Sequence, residues 1–137
     1  MQHIDRAAAE AKAAKGVGVV TTPETRWARC DIKTVALLPN VLAKQQAREK
    51  DAYEAWFVDE LGFVTEGASS NAWIVDRDGT LRTRDTNANI LRGVTRLSLL
   101  DVARQAGLKV EERPFTPDEA VSARNPNWTL IFQLGLA

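Results

Sequence analysis

Short apolar runs separated by turn-forming residues constrain this chain more than any other feature of its sequence. Four of these runs are rich in aromatic and β-branched residues and are predicted as strands, at residues 53–58, 63–65, 72–75 and 80–83. Between the last two lies Asp76-Arg77-Asp78-Gly79, which is typical of a hairpin turn. Strands must therefore supply part of the core.

Helices are predicted before and after these strands. Each is bounded by a residue that commonly starts or stops a helix: residues 4–15 before Gly16, 39–50 from Pro39, 95–106 before Gly107, and a short helix from Pro117. The spacing of apolar residues predicts the buried faces. For the second helix this face carries Leu37, Leu38, Val41 and Leu42, and for the third it carries Leu97, Leu100 and Ala103.

Residues 26–33 alternate in character and are predicted as a further strand. Ala28, Cys30 and Ile32 would face the core, while Trp27, Arg29, Asp31 and Lys33 would form the opposite, largely charged face. Residues 108–112 are predicted as a short strand, and the apolar residues 17–20 are followed by the polar interruption 21–24. The mixture indicates an α/β or α+β domain without the regular alternation of a doubly wound sheet.

Composition excludes several classes of function. The chain has 137 residues, which suits a single domain, and its single Cys30 and single His3 cannot build a Cys/His metal site. A formal net charge of zero argues against nucleic-acid binding. No apolar run approaches the roughly 20 residues that span a bilayer, and no signal peptide is evident, so a cytoplasmic protein without membrane partners is expected.

Three features are candidates for chemistry. Lys33 ends the predicted strand, Glu66 opens a loop of small residues, and Arg92-Gly93-Val94-Thr95 begins a helix whose free N–H groups suit an anion. Taken singly, each feature is more often structural: a solvated lysine, a turn residue and an ordinary helix end.

Four stretches taken in order resemble one family. They are RWARCDIK (26–33), NVLAKQ (40–45), VTEGASSN (64–71) and ILRGVTR (90–96). Together they are similar to the class IV aminotransferases, which depend on pyridoxal 5'-phosphate (PLP), and residues 29–33 are most similar to the D-amino-acid transaminases. The resemblance covers roughly residues 8 to 124. It implies the large, PLP-binding domain of that fold.

The resemblance also implies a role for each candidate residue. Lys33 would form the Schiff base with PLP and carry a proton during the reaction. Glu66 would pair with the pyridine nitrogen, which favours the protonated ring, and Leu91 would pack against one ring face. The N–H groups of Val94 and Thr95 would hold the phosphate at a helix start.

The implied activity is transfer of an amino group from a D-amino acid such as D-alanine to a 2-oxo acid. A branched-chain aminotransferase, an aminodeoxychorismate lyase and a non-catalytic fragment are the alternatives. The expected partners are amino acid and 2-oxo acid substrates, with a homodimer in the full-length family.

Two departures from the family pattern give a further expectation. Nothing in the chain corresponds to the family's N-terminal domain, and after Arg124 the sequence turns into Asn125-Pro126-Asn127-Trp128 instead of the family's phosphate loop. Residues 1–124 are therefore expected to be a partial large domain, and residues 125–137 a divergent tail. A truncated or frameshifted chain would have this form.

Overall fold

The computed structural model describes residues 6–87, 89–123 and 133–134. Its helices are α1 (Arg6–Lys15), α2 (Leu38–Glu49), α3 (Val94–Gln105) and α4 (Pro117–Ser122). Its strands are β1 (Val19–Pro23), β2 (Glu54–Val58), β3 (Val64–Gly67), β4 (Ser70–Asn71), β5 (Trp73–Val75), β6 (Leu81–Thr83), β7 (Val110–Glu112) and β8 (Gln133–Leu134). The predicted helix start at residue 4 and most of the predicted tail, 125–137, lie outside the described residues.

The strands form three small sheets. In the first, β1 is parallel to β2, with Val19 opposite Glu54, and β2 is antiparallel to β3. In the second, β4 pairs antiparallel with β8. In the third, β5 is antiparallel to β6, and β6 is parallel to β7. Parallel and antiparallel pairs therefore occur together, which confirms the mixed α/β class.

Strand β2 lies at the centre of the core because both of its faces are buried. On one face, the Trp56 ring meets the Phe115 ring edge to face, with 5.9 Å between the centroids. On the other face, Phe57 and Ala55 pack with Ala43 and Ala47 of α2. The third sheet is covered by α3 in a separate cluster formed by Trp73, Leu81, Leu100 and Ala103.

The predicted hairpin is confirmed, and its turn explains it. Strands β5 and β6 pair directly across residues 76–79. The Asp76 carboxylate accepts hydrogen bonds from the N–H groups of Asp78 and Thr80, both at 2.9 Å. Gly79 has φ +78°, a left-handed conformation that glycine adopts without strain.

The strand predicted at residues 26–33 is wrong. β1 extends through the supposed interruption and ends at Pro23, and the chain then turns, with the Ile32 N–H donating to the Arg29 carbonyl at 3.0 Å. Arg29 and Asp31, expected on one strand face, form an ion pair at 2.8 Å. Alternation makes a strand only where a neighbouring strand accepts its hydrogen bonds, and none within the described ranges pairs with residues 26–33.

Two predicted helix faces also need correction. Helix α2 packs on β2 through Ala43 and Ala47, whose small side chains allow close approach. The face predicted to be buried is exposed instead: Leu37, Leu38, Val41 and Leu42 are 50% to 68% accessible. In α3, Leu100 and Ala103 are buried as predicted, but Leu97 is 50% exposed.

Arg96 is fully buried with Leu100 and Ala103 in α3, although the predicted apolar face does not include it. The guanidinium Nη2 amino group donates to the Arg84 carbonyl and to the Glu112 carboxylate, both at 2.8 Å. These bonds offset much of the cost of removing a charged group from water. Burial of this arginine therefore depends on two partners that helical periodicity does not reveal.

Helix α4 depends on a capping box at its start. The Thr116 hydroxyl accepts from the Glu119 N–H at 3.1 Å, and the Glu119 carboxylate accepts from the Thr116 N–H at 2.9 Å. We expect Thr116→Ala to lower the free energy of unfolding by about 1 kcal/mol. Urea unfolding tests this, with Thr116→Ser as the matched control that keeps the hydroxyl. Equal midpoints for the two variants would contradict the capping role.

Candidate functional site

Glu66 lies near the end of β3 and is almost completely buried, at 6% accessibility. Its carboxylate accepts hydrogen bonds from the Asn71 side-chain amide at 3.1 Å, from the Leu91 N–H at 3.2 Å, and from the Arg26 guanidinium. Asn71 also donates to the Leu91 carbonyl at 3.2 Å. The structure thus brings together Glu66 and Leu91, two of the residues singled out in the sequence.

A second buried carboxylate, that of Glu54, holds the loop that follows Glu66. Glu54 is inaccessible and accepts from the hydroxyl groups of Ser69 and Ser70, at 2.8 Å and 2.9 Å. The Lys44 amine lies 3.4 Å from the same carboxylate. At the start of α2, Asn40 donates to the Ala68 carbonyl at 2.8 Å. Loop residues 67–71 are therefore fixed by side chains from two other elements.

Arg26 links Glu66 to the segment after β1. Two of its N–H groups bind the two Glu24 carboxylate oxygens at 2.9 Å and 2.6 Å, and a third binds Glu66. Its guanidinium carbon lies 4.4 Å from the centroid of the Phe57 ring. The Arg26 side chain is only 8% accessible, so this cation is held between two carboxylates in a mostly dry environment.

Burial and ion pairing act in opposite directions on these groups. Burial raises the pKa of Glu66, and the charge and hydrogen bond of Arg26 reduce that rise without cancelling it. Burial also acts to raise the pKa of Glu24, but the hydrogen bonds and charge of Arg26 outweigh it and leave this pKa lowered. Burial would lower the pKa of Arg26, yet Glu24 and Glu66 raise it above its ordinary value. The guanidinium therefore stays charged.

Lys33 lies at the end of the turn that replaces the predicted strand, and its side chain is exposed. Among the described residues, no hydrogen bond or ion pair joins it to Glu66, Leu91, Val94 or Thr95. Other residues of its turn are within electrostatic reach of the candidate site, since the charge of Glu66 acts on the Cys30 thiol and the charge of Arg92 acts on Asp31. Arg29 of the same turn is paired with Asp31.

The start of α3 provides free backbone donors. Gly93 precedes the helix and has no side chain to cap it, and Val94 and Thr95 are exposed. The first N–H groups of a helix have no partner within the helix and favour an anion. The Gly93 N–H donates to the Leu91 carbonyl at 2.9 Å, so this donor set begins directly beside the residue that binds Glu66.

These residues fit PLP by their chemistry. A buried carboxylate suits a pyridinium nitrogen, an uncapped helix start suits a phosphate, and an exposed amine on the neighbouring turn is available to an aldehyde.

Over the part of the chain that the structure describes, no group of three metal-ligating side chains occurs, and no helix is both long and apolar enough to cross a bilayer.

Sequence reasoning gave no role to Arg26 or Asn71, although both lie within the stretches that carry the family resemblance. Arg26 meets Glu66 across 40 positions of sequence, and only the fold brings the two together. The Asn71 contact could have been predicted locally. Asn71 follows Glu66 by only five residues across a tight loop, so its amide can reach the carboxylate.

Comparison with known proteins defines the family. The model of the amino-transferase class IV family matches residues 2–125, so the chain belongs to that family. A D-alanine aminotransferase from Bacillus licheniformis is 41% identical over 108 residues, which are 79% of this chain. The chain spans only 38% of the length of that relative.

Solved structures agree with this fold. A fold IV transaminase from Curtobacterium pusillum superimposes with a TM-score of 0.73 and 26% identity, covering 82% of this chain and 41% of that protein. A branched-chain amino acid aminotransferase from Thermobaculum terrenum, solved in its PLP form, superimposes with a TM-score of 0.67 and 29% identity. The match covers 76% of this chain and 36% of that protein. The chain therefore has the α/β fold of these transaminases over less than half of their length.

Proposed function

We propose that this chain forms the cofactor-binding part of a PLP-dependent aminotransferase. The observation that carries the proposal is the buried Glu66 carboxylate, bound to the Leu91 N–H just before the uncapped start of α3. PLP carries a pyridine ring and a phosphate on one small molecule. A site for it therefore needs a carboxylate for the ring nitrogen close to a group of N–H donors for the phosphate. The family assignment supports the same cofactor.

Each residue would have a distinct task. Lys33 would bind the cofactor covalently and then move the proton of the substrate, since a lysine amine can serve as both nucleophile and base. Glu66 would hold the ring nitrogen, Leu91 would cover one ring face, and the N–H groups of Val94 and Thr95 would bind the phosphate. When bound, PLP supplies the electron sink that makes loss of the substrate proton possible.

The proposed substrates are a D-amino acid such as D-alanine and a 2-oxo acid. The 41% identity to a D-alanine aminotransferase supports this choice over the branched-chain alternative, since branched-chain aminotransferases among the structural neighbours are 25% to 30% identical. The homodimer and the cytoplasmic location stay predictions, as does the division of the chain near residue 124.

Borohydride reduction in the presence of PLP tests the proposal. We expect a reduced pyridoxyl group on Lys33, found by mass spectrometry of the proteolytic peptides, because reduction makes a bond between amine and cofactor permanent. Lys33→Ala should abolish the adduct, whereas Lys109→Ala, which removes an exposed lysine just before β7, should not. A folded chain that carries no adduct at Lys33 would be a non-catalytic fragment, and the proposal would fail.

A further inference from the structure

We infer that Arg26 is a positioning residue for Glu66, the cofactor-binding carboxylate. Glu24 holds Arg26 in place, and Arg26 keeps Glu66 ionised and oriented toward the cofactor. This inference rests on the proposed function. It concerns a residue for which neither the sequence pattern nor the fold comparison supplied a role. The relevant geometry is the guanidinium bridge between the two carboxylates, with the Phe57 ring beneath it.

The bridge is asymmetric in a way that favours this role. Glu24 receives two bonds from Arg26 in a fork-like arrangement and also accepts from the Thr65 hydroxyl at 2.8 Å. Glu66 receives a single guanidinium N–H in addition to the Asn71 and Leu91 donors, which leaves about one of the roughly four acceptor sites on its carboxylate. Glu24 thus fixes where Arg26 lies, and Arg26 presents one donor and a permanent charge to Glu66.

The chemistry needs such a charge because two groups compete for one proton. When a ring nitrogen faces a buried carboxylate, the proton resides on whichever group is the more basic. Burial makes the Glu66 carboxylate more basic, which moves the proton toward Glu66 and away from the ring. Arg26 opposes this effect, and a change of one pKa unit alters the partition about tenfold. A protonated ring is the form that withdraws electrons from the substrate.

Two charged side chains of the described segment after β1 act on Glu66, Arg26 and Glu24, which makes the inference testable. The Cys30 thiol of the following turn feels the charge of Glu66, and burial raises its pKa, so it adds no charge of its own near neutral pH. The loop after β3 and the segment before α3 contribute the uncharged amides of Asn71 and Leu91. Changes at Arg26 and Glu24 should therefore control the titration of Glu66.

Two substitutions are expected to move this titration in opposite directions. In Arg26→Met the Glu66 midpoint should rise by about one to two pH units, because the neighbouring cation is lost. In Glu24→Gln it should fall, because the remaining arginine charge is no longer shared with a second carboxylate. Carbon-13 NMR of glutamate carboxyl groups in the protein without cofactor measures both. A residue that only supports packing would not give shifts of opposite sign.

Further variants keep the test decisive. Arg26→Lys retains a cation and should restore the titration toward that of the unsubstituted protein, and Arg29→Met, at an arginine paired with Asp31 instead, should leave it unchanged. If Arg26→Met does not fold, the Glu66 midpoints of Glu24→Gln and Arg26→Lys test the inference instead. An unchanged Glu66 midpoint in Glu24→Gln, or one that rises, would overturn the inference.

The cofactor-loaded protein gives a second readout. With nitrogen-15 in the PLP ring, the protonated fraction at neutral pH should fall in Arg26→Met, and an unchanged fraction would contradict the inference. Failure of the proposed function is distinguishable, because it appears as a missing adduct at Lys33 in the unsubstituted protein. The carboxyl titration does not depend on that adduct.

Discussion

Gly67→Ala is expected to destabilise the protein by roughly 3 kcal/mol, because the added methyl group would overpack a closed turn. The new Cβ would lie 2.3 Å from the Ser70 hydroxyl oxygen, 3.0 Å from the Ser70 carbonyl oxygen and 3.2 Å from the Glu54 carboxyl carbon. The hydroxyl cannot simply rotate away, since it donates to Glu54 at 2.9 Å. The backbone of the loop must therefore shift, and Glu66, the preceding residue, would shift with it.

Urea unfolding and PLP binding measure the two consequences of this substitution. Gly18→Ala is the matched control, because a Cβ there would meet its nearest neighbour, Ala52, at an ordinary 3.5 Å. We expect that control to change stability by no more than about 1 kcal/mol and to be stabilising if anything. If both alanine variants unfolded at the same urea concentration, the tight packing around Gly67 would be refuted.

The parts of the fold that follow from local chemistry were predictable from the sequence. The hairpin across residues 76–79 depends on an Asp carboxylate and a glycine that lie within the turn itself. The end of α3 depends on Gly107, which has φ +76° directly after the helix. In both places the sequence pattern and the structure report the same short-range interaction.

The parts that depend on distant partners were not predictable. Residues 26–33 alternate like a strand but have no neighbouring strand within the described residues, so they form a turn. Helix α2 has two candidate faces, and the smaller alanine face is the one that fits against β2. Periodicity identifies a face but does not show which neighbour is close enough to cover it.

The candidate site also has a part that was predictable from the sequence and a part that was not. The resemblance placed Glu66 and Leu91 in one site, and the structure brings them into contact. It did not predict that Glu66 shares a buried cation with Glu24, because an ion pair between residues 26 and 66 leaves no local pattern. Nor did it predict that a second carboxylate, Glu54, supports the loop from the opposite side.

Two buried networks thus hold Glu66 and the loop that follows it. Arg26 and Asn71 bind the carboxylate of Glu66 directly, whereas Glu54 binds the hydroxyl groups of Ser69 and Ser70, three and four positions further along the chain. A binding group held by other side chains loses little freedom when its ligand arrives. Protein side chains alone therefore supply the hydrogen bonds that hold this loop.

Glu54→Ala should cost about 3 kcal/mol of stability and weaken PLP binding, because it leaves several buried donors without an acceptor. The Ser69 and Ser70 hydroxyl groups and the Ala55 N–H all donate to this carboxylate, and Lys44 would lose its counter-charge.

Glu54→Gln separates hydrogen bonding from charge in this network. The amide keeps one acceptor oxygen and the shape of the side chain, so a smaller loss of roughly 1 kcal/mol is expected. Glu60→Ala, at an exposed glutamate after β2, is the control and should stay within about 0.5 kcal/mol of the unsubstituted protein. Urea unfolding together with a PLP titration provides the measurements. If Glu54→Ala matched Glu60→Ala in both, the loop would not depend on Glu54, and Arg26 with Asn71 would have to hold Glu66 in place alone.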